Sequence, residues 1–195
     1  VSEPGFDRYD TEQQALTAIL EQQLSDDWAL RLASRYSDSH ADYDTMYGWP
    51  PRLQADNRTI RRAVSISNAD ARAITSDAQL HGELQTGAIS HQLVVGFDYQ
   101  NAYTDNDSFY SATGGGTLDV YRPVYGLVSN LPTDQDAINN PATKTYQRGV
   151  YLQDNMKIAE RWLVSAALRR DDTTSRAERA AARSQQATSG RLGLM

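Results

Sequence analysis

Three absences narrow the function classes open to this chain of 195 residues. It has no cysteine, which excludes disulfide-linked scaffolds, cysteine-ligated zinc sites and thiol catalysis. It has no basic cluster and a formal net charge of −6, whereas a nucleic-acid partner would require Lys and Arg to neutralise phosphates. It also lacks any run of about 18 apolar residues, so the sequence predicts no transmembrane helix.

A membrane location is still open, because a spanning β-strand needs only about 9–11 residues and only alternate ones must be apolar. Residues 1–5 lack the charged start and the apolar run of a signal peptide. If the parent protein is exported, we expect its signal to lie upstream of this segment or to have been cleaved.

Apolar and polar residues alternate with a period of two through most of the chain. From Trp28 to Tyr36 the even positions are mostly apolar, whereas Arg31 and Arg35 occupy odd ones. Similar patterns start at Ile74, His91 and Trp162, and less regular ones cover 8–24 and 146–158. A strand with one apolar and one wet face shows this pattern. We predict an antiparallel, all-β fold of about seven strands, the last of them at 191–195.

The connections between these strands alternate in length. Short turns are predicted at 25–27, 86–88 and 159–161, and long polar connections at 44–58, 105–144 and 172–187. Transmembrane barrels have this arrangement, with short periplasmic turns and long extracellular loops. Trp28 and Trp162 each begin a strand after a short turn, where an indole can sit at the membrane–water boundary. Core packing in a soluble β domain is the alternative for these two tryptophans.

The polar face of the strands indicates a large barrel. It is too polar for the filled core of a small barrel and suits a wide lumen that is hydrated or plugged. Its members are Arg31, Arg35, Thr75, Asp77, Gln79, His81, Glu83, Gln92, Asp98 and Gln100. Bacterial barrels close with an even number of strands, and an open sheet in lipid would leave backbone groups unpaired. We therefore expect residues 1–195 to be a partial β-barrel domain.

The sequence offers no catalytic or metal-binding motif. The three histidines, His40, His81 and His91, have no spacing typical of a metal site, and no G-x-S-x-G elbow occurs. We predict no enzymatic activity, no catalytic residues and no metal ligands. The glycine run 114–116 lies in the longest predicted loop, where we expect it to provide flexibility.

Aromatic residues concentrate beside the long loops. Tyr43, Tyr47 and Trp49 lie where the second strand ends, and Tyr103 and Tyr110 follow the fourth. Exposed aromatics at loop mouths suit the capture of an amphipathic ligand, since they provide contact area at a low entropic cost. Our candidate ligand-binding residues are Tyr47, Trp49, Tyr103 and Tyr110. For Tyr103 and Tyr110, an aromatic girdle at the membrane interface is the alternative.

Two segments carry specific motifs. Residues 91–99, His-Gln-Leu-Val-Val-Gly-Phe-Asp-Tyr, have the form H-x-L-x-x-G-x-D-Y. Residues 147–154, Gln-Arg-Gly-Val-Tyr-Leu-Gln-Asp, precede Trp162 and a strand that ends in Leu-Arg-Arg-Asp. Both segments resemble strands of TonB-dependent siderophore receptors, although Ala166 and Ala167 stand where glycines are usual. The similarity covers essentially the whole chain and is greatest to the ferrichrome-type (hydroxamate) branch.

The resemblance implies a fold and a function. It implies a plugged barrel of about 22 strands in the bacterial outer membrane, which binds a ferric siderophore and imports it with energy relayed by TonB. The siderophore would be cargo, and no cofactor is expected. The residues Tyr47-Gly48-Trp49 match a Tyr-Gly-Tyr-like stretch that contacts the siderophore in that branch. An anchor at the membrane interface is the alternative for Tyr47 and Trp49. The plug and the TonB box are expected outside this segment.

Three alternatives are left open by the residues. The first is a TonB-dependent transporter of another cargo, such as cobalamin, haem or a saccharide. The second is a passive porin, and the third is a soluble or surface β-adhesion module. The expected partners are the siderophore, TonB and outer-membrane lipid, with no nucleic acid.

Overall fold

The computed structural model describes residues 1–159 and 161–195. Glu160, part of the turn predicted at 159–161, lies outside the described residues. The strands are β1 (Arg8–Gln23), β2 (Trp28–Gly48), β3 (Thr59–Thr86), β4 (Ile89–Ser111), β5 (Thr117–Asp119), β6 (Ile138–Asn139), β7 (Thr143–Ile158), β8 (Trp162–Ala177) and β9 (Arg183–Leu194). A 3₁₀ turn covers Asp134–Asp136. The long strands pair in the order β1-β2-β3-β4-β7-β8-β9, while β5 pairs with β3 and β6 with β4.

The prediction of an all-β antiparallel fold is confirmed. The seven predicted strands correspond to the seven long ones, and β3 is continuous over 28 residues. β5 and β6 lie inside the long connection predicted at 105–144, where they pair through Ile60↔Leu118 and Ser108↔Ile138. The short turns are also as predicted: Gly87, with a φ of +61°, and Ala88 alone separate β3 from β4.

The prediction of a third long connection at 172–187 is wrong. β8 extends to Ala177 and β9 begins at Arg183, so only residues 178–182 connect them. The two strands pair from Ser175↔Arg183 to Val164↔Leu194. The residues near the connection are polar on both faces, so they show no alternation, yet the ladder of backbone hydrogen bonds still holds them in strands. The last strand therefore begins at 183 and not at 191.

The chain divides into two compact units, which we name by their content. The loop unit comprises Val1–Gln13, Ser39–Ala71 and Thr104–Ala142, and the belt unit comprises Gln14–Asp38, Arg72–Tyr103 and Thr143–Met195. The buried apolar side chains belong to the loop unit: Met46, Ala63, Val64, Ile66, Leu118 and Ala142. The belt unit instead exposes large apolar side chains, among them Leu32, Phe97, Val150, Leu152 and Leu168.

Gly115 packs tightly within the loop unit, so the prediction of a flexible glycine run is wrong. Its N–H donates to the Arg62 carbonyl over 3.1 Å. A Cβ at this position would lie 2.7 Å from the Arg62 Cβ and 2.9 Å from the Met46 Cγ, closer than atoms pack. Glycine is therefore needed for the close approach of the backbone to β3.

A buried ion pair holds the long connection against β3. The Arg62 guanidinium and the Glu3 carboxylate are 2.6 Å apart, and both side chains are only 2% exposed. Arg62 Nε also donates to the Gly115 carbonyl over 3.0 Å, and Glu3 Oε1 accepts from the Gly126 N–H over 2.5 Å. Both charges are thus desolvated, and each is paired and hydrogen-bonded within the protein, the condition under which a buried pair is tolerated. The pair fixes the connection at two points, Gly115 and Gly126.

The same contacts set the ionisation of Glu3. Burial raises the pKa of its carboxyl, but the hydrogen bonds from Gly126 and Arg62 and the charge of Arg62 together lower the pKa below its ordinary value of 4.5. The folded loop unit therefore holds Glu3 as a carboxylate more strongly than the unfolded chain does.

Breaking the pair should loosen the connection. In the full-length protein, we expect Arg62→Met to destabilise the loop unit by about 3–5 kcal/mol, because it leaves the Glu3 carboxylate buried without its partner. Hydrogen exchange of the Gly115 and Gly126 amides measures the effect. Arg58→Met is the matched control: it breaks the exposed pair with Asp119 and should have little effect, because solvent screens exposed ion pairs. Equal effects of the two substitutions would contradict this account.

Acid should weaken the pair with a defined sign. Because the pKa of Glu3 is lower in the folded protein, its stabilisation is complete above pH 4.5 and is lost as the pH falls through the folded pKa. We expect the difference in local stability between the wild type and Glu3→Gln to be constant from pH 7 down to about pH 5 and to shrink below it. Hydrogen exchange of the Gly126 amide across this range, corrected for its intrinsic pH dependence, is the measurement. A difference that grows in acid would contradict the lowered pKa.

Candidate functional site

Four tyrosines come together in the loop unit. The rings of Tyr9 and Tyr43 meet edge to face, with centroids 5.6 Å apart and an interplanar angle of 85°. The side chain of Tyr47 is hydrogen-bonded to that of Tyr110, and Tyr43 lies close enough to act on it electrostatically. Tyr9, Tyr43, Tyr47 and Tyr110 form what we call the tyrosine cluster.

Alternation of the strands explains this cluster. Tyr43 and Tyr47 are four residues apart in β2, so their side chains leave the strand on the same side. β1 and β2 are neighbours in the sheet and bring Tyr9 beside Tyr43. Although the loop unit buries its aliphatic side chains, the exposed fraction of these tyrosines runs from 37% for Tyr47 to 69% for Tyr9. The cluster is an accessible aromatic surface on an ordered support.

The electrostatics of the cluster keep Tyr47 neutral. Burial of its hydroxyl and the neighbouring Tyr110 and Tyr43 raise the pKa of Tyr47 above its ordinary value of 10.0. A neutral phenol both donates and accepts hydrogen bonds. The cluster therefore offers a ligand ring faces and hydroxyls, without a formal charge of its own.

Of the four predicted ligand residues, the structure brings two together. Tyr47 and Tyr110 are in contact. Trp49 lies two residues beyond Tyr47 and is 48% exposed. Its backbone N–H donates to the Arg61 carbonyl, and the Trp49–Pro50 peptide bond is cis. Tyr103 belongs to the belt unit, where the Lys144 ammonium lies 5.8 Å from its ring centroid.

Sequence analysis missed Tyr9 and Tyr43 as members of the cluster. Tyr43 was visible as an aromatic near the end of β2, but the spacing of the motif drew attention to Tyr47 and Trp49. Tyr9 lies in the irregular first strand, where no pattern marked it. Only the pairing of β1 with β2 shows that Tyr9 contacts Tyr43.

A polar network crosses the belt unit around Arg169. Its guanidinium donates to Asp98 over 2.6 Å and to Asp171 over 2.6 Å, and it lies 5.6 Å from the Tyr151 ring centroid. The Tyr151 hydroxyl donates to Asp77 over 2.8 Å. Two glycines make room for these side chains: a Cβ at Gly96 would overlap the ring of Tyr151, and one at Gly149 would overlap the guanidinium of Arg169.

Neither a metal cluster nor a spanning helix occurs in the described part of the chain. Within 1–159 and 161–195, no three His, Asp or Glu side chains are grouped as a metal ion would require. Over the same residues, no helix has the length and apolar character needed to cross a membrane.

The sequence matches the family described as TonB dependent receptor-like, β-barrel, over residues 2–195. The chain belongs to this family. The resemblance inferred from the motifs is therefore confirmed. Members of the family are outer-membrane receptors and not enzymes, which confirms the prediction of no enzymatic activity and decides against a porin or an adhesion module.

Curated proteins similar to the chain are named as receptors. It is 31% identical over 162 residues to the Ferrioxamine B receptor of Salmonella typhimurium (strain SL1344). The match covers 82% of this chain and 22% of that protein. It is 30% identical over 165 residues to the Metal-pseudopaline receptor CntO of Pseudomonas aeruginosa (strain UCBPP-PA14), with the same coverage of 82% and 22%. The chain thus spans 22% of the length of these relatives.

Solved structures share the fold. The ferric preacinetobactin receptor BauA from Acinetobacter baumannii has a TM-score of 0.82 at 16% identity. The match covers 95% of this chain and 28% of the BauA chain. The siderophore receptor PiuA from the same species has a TM-score of 0.79 at 20% identity. The match covers 99% of this chain and 30% of the PiuA chain. At these identities the likeness shows the fold alone.

The network around Arg169 explains the motifs that the TonB-dependent receptor family shares with this chain. Gly96 and Asp98 belong to the first motif, Gly149 and Tyr151 to the second, and Arg169 to the strand that follows. The glycines provide space and the other residues fill it. The motifs therefore encode the packing of three adjacent strands, β4, β7 and β8, on one face of the belt unit.

The exposed apolar side chains of the belt unit have the character of the lipid-facing surface of transmembrane barrels. Trp162, at one end, is 47% exposed, with the Arg161 guanidinium 5.5 Å from its ring centroid, as a girdle residue at the lipid boundary would be. Trp28 packs its ring over Gly82 on the neighbouring strand. Its role in the girdle stays a prediction.

A conservative substitution should reveal the contact between Tyr47 and Tyr110. In the full-length receptor, we expect Tyr110→Phe to lower the pKa of Tyr47, because removal of the Tyr110 hydroxyl leaves burial as the main cause that raises it. NMR of ¹³C-labelled tyrosine, with Tyr47 assigned through Tyr47→Phe, follows the titration. Tyr121→Phe, in an exposed part of the loop unit, should leave the pKa of Tyr47 unchanged. A pKa unaffected by Tyr110→Phe would contradict the arrangement.

Proposed function

We propose that the full-length receptor binds a ferric siderophore at the tyrosine cluster and imports it with energy relayed by TonB. Residues 1–195 form part of its barrel domain in the bacterial outer membrane, with lipid around the belt unit. The observation that carries the proposal is an exposed, ordered group of four aromatic side chains in the loop unit of a TonB-dependent receptor. The names of the relatives, receptors for ferrioxamine B and metal-pseudopaline, support it.

The chemistry of the cluster suits such a ligand. A ferric siderophore holds its iron with its own oxygens, so the receptor needs no metal ligands and recognises the organic shell. Tyrosines bury a large area while losing few rotamers, and their neutral hydroxyls bond polar atoms of the shell. The edge-to-face pair of Tyr9 and Tyr43 adds further aromatic contact surface.

The side of β2 that carries the cluster fits a site inside the barrel. Tyr43 and Tyr47 have the odd parity of Arg31 and Arg35, which the sequence predicts to face the lumen. A ligand bound on that side lies on the path through the barrel and not on the outer surface. Trp49 follows directly after the end of β2 and is the third contact that we propose. Ligand contact by Tyr103 stays a prediction beside its alternative as an interface anchor.

Another cargo of the same family is the competing proposal. Cobalamin, haem and saccharides are also recognised by aromatic surfaces, so the cluster alone does not separate them from a siderophore. The class of siderophore, with hydroxamate as our proposal, rests on the resemblance to the ferrichrome-type branch. A binding titration with chemically different cargoes separates these proposals.

The test is a fluorescence titration of the full-length receptor with a ferric hydroxamate and a ferric catecholate siderophore. We expect saturable quenching of tryptophan by the hydroxamate, and a smaller amplitude in Trp49→Phe. Tyr47→Ala and Tyr110→Ala should each weaken binding about tenfold, since truncation of a contact aromatic costs about 1–2 kcal/mol.

Tyr121→Ala is the matched control, because this tyrosine is 71% exposed in the same unit but outside the cluster. It should bind the siderophore like the wild type. No response to either siderophore, together with binding of cobalamin, haem or a saccharide, would move the assignment to another cargo. An equal loss in Tyr121→Ala and Tyr47→Ala would remove the cluster from the site.

A further inference from the structure

Arg61 is an exposed cation of the loop unit that has no counter-charge within this chain. Three other arginines of the same unit form ion pairs with carboxylates: Arg8, Arg58 and Arg62. Among the residues that the structure describes, none gives the Arg61 guanidinium a hydrogen bond or an ion pair. A guanidinium has five N–H donors, so those of Arg61 are open to a ligand.

The side chain of Arg61 leaves β3 on the side that carries the tyrosine cluster. Met46 of β2 and Arg62 of β3 both lie against the long connection, since a Cβ at Gly115 would be 2.9 Å from the Met46 Cγ and 2.7 Å from the Arg62 Cβ. Successive side chains of a strand point to opposite faces. Tyr47 and Arg61, each one residue away from a covered neighbour, therefore share the uncovered face.

Backbone pairing brings Arg61 close to the proposed ligand contacts. The Trp49 N–H donates to the Arg61 carbonyl over 3.0 Å, which makes the two residues opposite partners of the ladder. Tyr47, two residues earlier, is then a diagonal neighbour of Arg61, with Cβ atoms about 7–8 Å apart, a distance that a long side chain spans. On its other edge Arg61 pairs with Thr117 of β5. The guanidinium is thus carried by an ordered part of the strand.

The tyrosine cluster by itself offers no means of sensing iron. Its rings and neutral hydroxyls contact the organic shell, which the iron-free siderophore also possesses. Iron binding changes the chelating oxygens: each hydroxamic acid gives its proton to solvent as its oxygen binds the ferric ion, so the oxygens around the metal carry negative charge. A guanidinium forms short, charge-assisted hydrogen bonds to such oxygens.

We propose that Arg61 makes the cargo site selective for the iron-loaded siderophore. Its guanidinium donates to the deprotonated oxygens around the iron, while the tyrosines hold the organic shell. The iron-free form presents protonated hydroxamic acids there and gains no charge-assisted bond. The iron stays ferric, and no covalent bond of the protein changes. The inference rests on the proposed function, and it applies equally to catecholates, whose oxygens also lose their protons to iron.

Isothermal titration calorimetry of the full-length receptor, with the ferric and the iron-free form of one hydroxamate siderophore, tests the proposal. We expect the wild type to bind the ferric form more tightly. Arg61→Gln should lower the ratio of the two affinities about tenfold, because only the ferric form loses a hydrogen bond between charged groups. Arg61→Lys keeps the charge without the planar fork and should lower the ratio less.

Arg58→Gln is the matched control. It removes the same charge three residues away, but the Arg58 guanidinium is already paired with Asp119, so the ratio of affinities should stay at the wild-type value. The gallium(III) complex, which has the same charge and coordination geometry as the ferric one, should bind like it to every variant.

Three outcomes would overturn the proposal. The first is equal binding of the two forms by the wild type. The second is an unchanged ratio in Arg61→Gln, as expected if a carboxylate outside this chain already occupies the guanidinium. The third is an equal fall in the ratio in Arg58→Gln, which would make the effect one of net charge alone.

The same titrations separate this inference from the proposed function. A receptor that binds the ferric siderophore, loses affinity in Tyr47→Ala and keeps its ratio in Arg61→Gln would leave the cargo site standing and reject the role of Arg61. A receptor that binds neither form of the siderophore but binds cobalamin, haem or a saccharide would reject the proposed function, and the role of Arg61 with it.

Discussion

Backbone pairing in lipid is the constraint on which the rest of this protein depends. Hydrocarbon offers no partner to an N–H or a carbonyl, so each strand of the belt unit must satisfy its backbone through its neighbours. Because pairing comes from the backbone, side chains are free to differ between the two faces. One face exposes apolar residues, and the other carries the hydrogen-bonded group of Arg169, Asp98 and Asp171. Apolar residues of one face therefore alternate along each strand with polar residues of the other.

Glycine residues have two distinct uses in this protein, and in both a neighbouring group comes too close to leave room for a Cβ. In the belt unit, the absence of a Cβ at Gly96 and Gly149 leaves space for the side chains of Tyr151 and Arg169 to pack against the backbone of the sheet. In the loop unit, Gly115 lets the long connection touch β3 beside Arg62. In neither unit does the glycine serve as a hinge. The effect is an ordered support on which exposed tyrosines can hold fixed positions.

The two units use charge differently. In the loop unit, Glu3 and Arg62 are buried as a pair, with every charge compensated inside the protein. In the belt unit, the two exposed arginines Arg148 and Arg170 both act on the Asp172 carboxylate. The first arrangement orders a connection without outside help. The second leaves two cations on the protein surface beside one carboxylate.

The sequence alone determined the fold class, the seven long strands and the family, because period-two alternation and the motif spacing are local properties of the chain. It also marked Tyr47 and Tyr110 as candidates. Tertiary structure decided the features that depend on pairing between distant residues. Among these are the contact of Tyr9 with Tyr43, the close packing of Gly115 and the extension of β8 and β9 beyond their alternating parts. Such contacts can join residues 123 positions apart, as Glu3 and Gly126 show, and no local pattern encodes which distant residues will be neighbours.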